Sequence, residues 1–297
     1  MDHKRPQKTN NDWCLFDFSE SSKNSLSENK SALVRDSETL GKKAKHTLPD
    51  NAMIFLSGTS GVGKTTIARN LMKLNREITV MQEIDLLREA IRSNTETIAN
   101  KLMLYLKENV IKSNVEFEEL LRILNYGTLT KSTSELSYDE MLLQAHCVSE
   151  PLKRICLRLR EKKMPAILEG VNLPFEALFT PFDFHENFYL SSSNMLFINL
   201  YLSDEKEHKR RIQQRALDRG LSKKELSDIM KNFPNIRQQN ILLHQKALYY
   251  SDKISNIDIN GKKVVHSIDI SGNPKLSFND NTYQNIQKIN ALIKNWT

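Results

Sequence analysis

Residues 58–66 read Gly-Thr-Ser-Gly-Val-Gly-Lys-Thr-Thr, and no other stretch of the chain restricts its fold so tightly. The run fits G-x-x-x-x-G-K-[ST] in full. Ahead of it, Ala52-Met53-Ile54-Phe55-Leu56-Ser57 is a short apolar run that reads as a buried strand, and Thr65 to Leu74 behind it has helical spacing. The chain has nine glycines, and positions 58, 61 and 63 take three of them. Backbone N–H groups can wrap a polyphosphate only where Cβ atoms do not block the approach, and glycine also permits positive φ. The helix that follows points its first N–H groups at the anion. Gly58, Thr59, Ser60, Gly61, Val62, Gly63, Lys64, Thr65 and Thr66 are therefore the candidate ATP-binding residues. Lys64 is expected to reach the β- and γ-phosphates, and the Thr65 hydroxyl to ligate Mg²⁺.

Further short apolar runs stand at 78–81, 165–169, 195–202 and 264–270, and helical patterns at 85–92, 95–112, 115–124, 138–162 and 281–294. Strands that alternate with helices imply a mostly parallel sheet covered on both faces. The expected fold is α/β: a three-layer P-loop NTPase of the nucleotide-kinase-like kind with a five-stranded parallel sheet. Pro151 interrupts the stripe over 138–162, which predicts a kink or a break there with Ser149 capping a second helix. Residues 1–50 are polar and aperiodic and read as a disordered tail, leaving 51–297 as one domain. The tail's apolar patch, Trp13-Cys14-Leu15-Phe16-Asp17-Phe18, is an isolated apolar island or a candidate docking element for the domain or for a protein partner.

Composition excludes several classes. No run of about 18 apolar residues exists, so no transmembrane helix is expected, and the polar start lacks the apolar core of a secretory signal. Cys14, Cys147 and Cys156 are odd in number and lack metal-binding spacing, which suits a reducing, cytoplasmic setting. A net charge of +7 suits an anionic small-molecule ligand. It is too small to argue for nucleic acid, and no interleaved aromatics support base stacking.

Three further features bear on chemistry. Asp85 and Arg88 lie three apart after the second apolar run, where Asp85 could take a proton from a substrate hydroxyl and Arg88 could clamp an anion. On spacing alone, a capping aspartate beside a solvated arginine is the better reading. Ile167-Leu168-Glu169 is an apolar strand ending in an acid, the Walker B pattern, so Glu169 would hold Mg²⁺ through water or orient the nucleophile. Last, His208, Arg211, Arg215 and Arg219 recur at helical spacing, as in a lid that closes over transferring phosphates or, more plainly, in a solvated basic face.

Taken in order, GTSGVGKTT, IDLLR, LLQAHCVSEPL, ILEGVNL, HKRRIQQR and NFPNIRQQNILLHQKAL resemble the 2-phosphoglycerate kinase-like P-loop kinases over most of residues 52–272. The resemblance implies phosphoryl transfer from ATP to the 3-hydroxyl of 2-phosphoglycerate. It implies Asp85, Arg88 and Glu169 at the substrate, and Gln144 on the helix before the third strand. His208, Arg211 and Arg215 would form the lid, and Arg237 would stand near the substrate anion. Residues 85–160 would form a helical substrate cap and 204–237 an arginine-rich lid, with Lys64, Asp85, Arg211 and Arg215 catalytic. The family's E-G-V-H is Glu169-Gly170-Val171-Asn172 here, its T-D is Ile84-Asp85, and the lid Phe is Ile212. The expected function is an ATP- and Mg²⁺-dependent kinase acting on a hydroxyl of a small anionic metabolite. The alternatives are a nucleotide-sugar, nucleoside or nucleic-acid-end kinase, or a non-catalytic nucleotide-binding module.

Overall fold

Met53–Ser57 (β1) is buried at every position, and so is Ala166–Gly170 (β3), as strands covered on both faces must be. Their alternate side chains serve two different cores. Met53 and Phe55 of β1 join Ala166 and Leu168 of β3 in one, whereas Ile54, Leu56 and Ile167 join the other. Met195–Tyr201 (β4) divides in the same way, with Phe197 in the first core and Leu196, Ile198 and Leu200 in the second. Val80–Glu83 (β2) and Val265–Asp269 (β5) complete a five-stranded sheet in the order β2-β3-β1-β4-β5, and every pairing is parallel. Both outer strands carry partly exposed residues, as edges do.

These elements belong to a computed structural model that describes residues 48–92, 100, 121–122, 136–171, 173–179, 194–255, 264–273 and 275–296. Lys64–Leu74 (α1) follows β1, and Ile84–Arg92 (α2) follows β2 with no intervening residue. Tyr138–Glu161 (α3) leads into β3, and the short Phe175–Phe179 (α4) leaves it. Between β4 and β5 lie Glu205–Asp218 (α5), Lys223–Lys231 (α6) and Phe233–Ser255 (α7), and Phe278–Trp296 (α8) comes last.

One face of the sheet is covered by α3, α4 and α7, through Val148, Leu152, Cys156, Phe175, Phe179, Ala247 and Tyr250. Phe197 lies at its centre, stacked on Phe55 at 4.7 Å and meeting Phe179 edge-on at 4.8 Å. On the other face, α1 contributes Ile67, Ala68 and Leu71, and α8 contributes Ile286, Ile289, Ile293 and Trp296. The result is the expected three-layer α/β arrangement. β1 has neighbours reached by chain segments that run in opposite directions, so the carboxyl ends of β1 and β3 open the crevice where such sheets bind ligands.

Two local expectations are corrected. Strand β2 runs from Val80 to Glu83, two residues later than the apolar run at 78–81 suggests. Pro151 lies inside α3 without breaking it, and Ser149 is no cap: its hydroxyl donates to the His146 carbonyl at 2.7 Å. Both halves of α3 put one apolar stripe (Met141, Ala145, Val148, Leu152, Cys156, Leu159) into the core, and that packing keeps the helix continuous across the proline. Residues 1–47 of the expected tail with the Trp13–Phe18 patch, most of the helices expected at 95–112 and 115–124, Asn172 and the segment 180–193 lie outside the described residues, whereas Leu48 is buried in the second core. Among the described residues no helix is long and apolar enough to cross a membrane.

Candidate functional site

The chain leaves β1 at Ser57 and enters α1 at Lys64 through a turn whose glycines are used differently. Gly58 has φ +143°, and a Cβ there would stand 2.5 Å from the Leu200 carbonyl oxygen. Gly63 caps α1 in the left-handed region (φ 86°, ψ 21°), and no side chain caps the helix. The first N–H groups of α1 are thus left to a ligand or solvent. Lys64, 8% exposed, donates from Nζ to the Thr59 carbonyl at 3.0 Å and so stays folded along the loop. Burial lowers its pKa, while the charges of Glu169 and Asp85 pull it back up.

Glu169 stands one residue before the end of β3, in register with Leu56 of β1 and Glu83 of β2. Its Oε1 accepts a hydrogen bond from Thr65 Oγ1 at 2.6 Å. Burial raises the Glu169 pKa against the opposing pull of Lys64 and the Thr65 hydroxyl. The next residue must be small: a Cβ on Gly170 would stand 2.9 Å from Cβ of Ile84, the first residue of α2. Gly170 therefore lets α2 start hard against the end of β3, which brings Asp85 to Glu169. Asp85 Oδ1 is buried without a hydrogen-bond partner, and its charge is felt by Lys64, Glu169 and Arg215.

Helix α5, capped by Asp204, lies over the loop. His208 is fully buried, with Nε2 at 2.9 Å from the Ser60 carbonyl, and burial lowers its pKa to about 4. Arg215 extends to Ser60 Oγ at 3.5 Å, and its charge interacts with Asp85, Glu169 and Glu83.

The structure thus brings Lys64, Thr65, Asp85, Glu169 and Arg215 together. It does not bring Arg211 or Arg237 with them. Arg211 donates from Nε to Glu207 at 2.7 Å and from Nη2 to the Ile270 carbonyl at 3.0 Å, with its guanidinium 5.4 Å from the Phe278 ring centre. Arg237 donates to the Leu202 and Ser203 carbonyls after β4. Helical geometry explains the split on α5: seven residues return to within about 20° of the same direction, whereas three fall about 60° short. His208 and Arg215 therefore share the loop-facing side, and Arg211 does not. Arg88 is buried one turn after Asp85, with Nη2 3.4 Å from Glu89, and Gln144 is buried on α3.

Sequence reading missed Glu83, whose charge acts on both Glu169 and Arg215. Its signal was an acid at the end of a strand, the same signal that marked Glu169, concealed by placing β2 two residues early. Among the described residues no group of three or more His, Cys, Asp or Glu side chains could hold a metal by itself. The hydroxyl of Thr65 against the carboxylate of Glu169 is instead the hard-oxygen pair that suits Mg²⁺ shared with phosphates and water.

No protein-family model matches the chain, and no curated protein matches it. Among solved structures, a shikimate kinase from Bacteroides thetaiotaomicron is similar at 17% identity and a TM-score of 0.35, over 82% of this chain and 98% of that one. The sheet order β2-β3-β1-β4-β5, with the glycine loop after β1 and an acid near the end of β3, is the P-loop fold of the nucleotide-kinase-like kind.

Proposed function

We propose that this chain is an ATP-dependent kinase that transfers the γ-phosphoryl group to a hydroxyl of a small anionic metabolite. The observation that carries the reading is the 2.6 Å hydrogen bond from Thr65 Oγ1 to Glu169 Oε1, with the charges of Lys64 and Asp85 acting on the same carboxylate. These groups come from α1, α2 and β3 and meet at the carboxyl ends of the strands.

The chemistry follows from their types. Lys64 would exchange the Thr59 carbonyl for phosphate oxygens, and Arg215 would add a second positive charge where the transferring group becomes most negative. Thr65 and Glu169 would hold Mg²⁺, which supplies charge neutralisation at the phosphates when bound. Asp85, partly exposed with one orphaned oxygen, would accept the proton of the acceptor hydroxyl as its oxygen bonds to Pγ and the bond from Pγ to ADP breaks. Arg88, buried one turn along α2, would meet the acceptor's own anionic group, and the resemblance to 2-phosphoglycerate kinase-like enzymes makes 2-phosphoglycerate the first acceptor to try.

Calorimetry with ATP and magnesium comes first, followed by ADP release with 2-phosphoglycerate, other phosphorylated or carboxylated alcohols, nucleosides, nucleotide-sugars and 5′-hydroxyl oligonucleotides. Turnover with an anionic alcohol, lost in Asp85→Asn while ATP binding persists, supports the reading. Turnover only with nucleosides, nucleotide-sugars or oligonucleotides moves the acceptor class. ATP binding without turnover on any of them makes the chain a nucleotide-binding module, and no ATP binding removes the reading altogether.

A further inference from the structure

We infer that His208 is a positioning residue for the nucleotide-binding loop: by donating from Nε2 to the Ser60 carbonyl it sets the Ser60–Gly61 peptide so that the Gly61 N–H faces the phosphate side. The inference rests on the phosphate-binding role just proposed for the loop and adds a residue from a different element to it.

The carbonyl of Ser60 can only accept, so the ring nitrogen 2.9 Å away must carry a proton. A trans peptide points its C=O and its N–H in opposite directions. Drawing the Ser60 oxygen toward α5 therefore turns the Gly61 N–H away from α5. The ring itself is immobilised. It is fully buried, it meets Phe233 edge-on at 5.6 Å, and its Nδ1 is buried with no partner to compete for the proton. Contact between α5 and the loop is close along the same seam. Gly61 has φ +83°, and a Cβ on it would stand 2.7 Å from Ile212 Cγ1 and 3.4 Å from His208 Cδ2. Arg215 reaches the hydroxyl of the same serine, so α5 engages Ser60 through backbone and side chain together.

Substitution separates positioning from packing. Glutamine places an amide nitrogen near where Nε2 stands, whereas asparagine is too short to reach Ser60. His208→Gln and His208→Asn both lose the ring on Phe233, so both are expected to lower the melting temperature alike. Calorimetry with ATP and magnesium should show binding weakened about tenfold in His208→Asn and less than about threefold in His208→Gln. Equal weakening in both variants, or wild-type affinity in His208→Asn, overturns the inference while leaving the nucleotide site standing. A wild-type protein that binds no ATP overturns the proposed function and this inference with it. Ring ¹⁵N shifts of the wild-type protein supply a measurement independent of either variant: the proton is expected on Nε2 of His208, and a proton on Nδ1 refutes the assignment.

Discussion

Glu83, the last residue of β2, and Glu169, one residue before the end of β3, are register partners, and the charge of Glu83 acts on Glu169, which also accepts from the Thr65 hydroxyl and faces the charge of Lys64. Two carboxylates side by side need cations: Arg69 pairs with Glu83 at 3.7 Å, and the charges of Lys64 and Arg215 offset that of Glu169. Glu169→Gln keeps an oxygen for the Thr65 hydroxyl and removes the charge. ATP affinity in the variant is expected to stay within several-fold of wild type, with turnover down by about a hundredfold, the scale of losing one group that acts on transition-state charge. Steady-state kinetics beside calorimetry check it. Comparable loss on Glu83→Gln would shift the leading role to the edge strand.

Gly58 and Gly63 predict different losses from the same methyl group. At Gly63 a Cβ meets nothing within 4 Å, so Gly63→Ala bears only the left-handed backbone, about 1–2 kcal/mol. At Gly58 the backbone is also strained, and the Cβ would collide with the Leu200 carbonyl of the neighbouring strand. Gly58→Ala is expected to lose a further 1–3 kcal/mol or so by overpacking. Urea unfolding of both variants gives the order, and equal losses would mean that the loop moves off β4 at little cost.

How much of this was legible in the sequence depended on whether the signal was local. β1, β3 and β4 were readable because each is a contiguous apolar run, β1 and β3 with a glycine directly at its end, and the loop because its glycines and Lys-Thr pair are contiguous. Glu169 was readable as the end of such a run. Pro151 misled because a local breaking rule met a buried stripe running on both sides of it, which only tertiary packing could reveal. Arg211 was placed on the lid face because charge and spacing record a helix face and not what covers it, and Arg237 was placed near the substrate anion by the family resemblance alone. The carbonyls that hold them in this structure, of Ile270, Leu202 and Ser203, are backbone atoms that carry no sequence signature. The link between His208 and Ser60 was hidden for the same reason.

Stability should fall with acid through the histidines. His146 and His208 are both held neutral by burial, with pKa values of about 4 against 6.5 when exposed. Between those values the unfolded chain binds protons that the native chain refuses, so stability rises with pH across the window. Each histidine then accounts for roughly 3 kcal/mol, fully present above about pH 6.5 and progressively lost down to about pH 4. Urea midpoints measured from pH 4 to 7 should show the slope, and His208→Gln should remove about half of it. A flat profile would mean that these rings reach water.

Arg215 and Arg237 should part company under alanine substitution. Arg215, exposed at the surface, faces the acids of the site, and the charges of Arg219 and Lys64 oppose its own there. Its loss should lower turnover by about a hundred- to a thousandfold with little change in melting temperature, since it makes one long contact, 3.5 Å to Ser60 Oγ. Arg237 instead ties the start of α7 to the two carbonyls that follow β4, beside Asn240, which both donates to and accepts from Leu202. Arg237→Ala leaves the Leu202 carbonyl with its Asn240 donor and the exposed Ser203 carbonyl with water, so it should lower stability by only about 1 kcal/mol while leaving the acceptor KM near its wild-type value. Thermal unfolding and acceptor titrations on both variants make the comparison. An Arg237→Ala enzyme that folds normally but needs far more acceptor would show that this guanidinium leaves its carbonyls to hold the substrate anion.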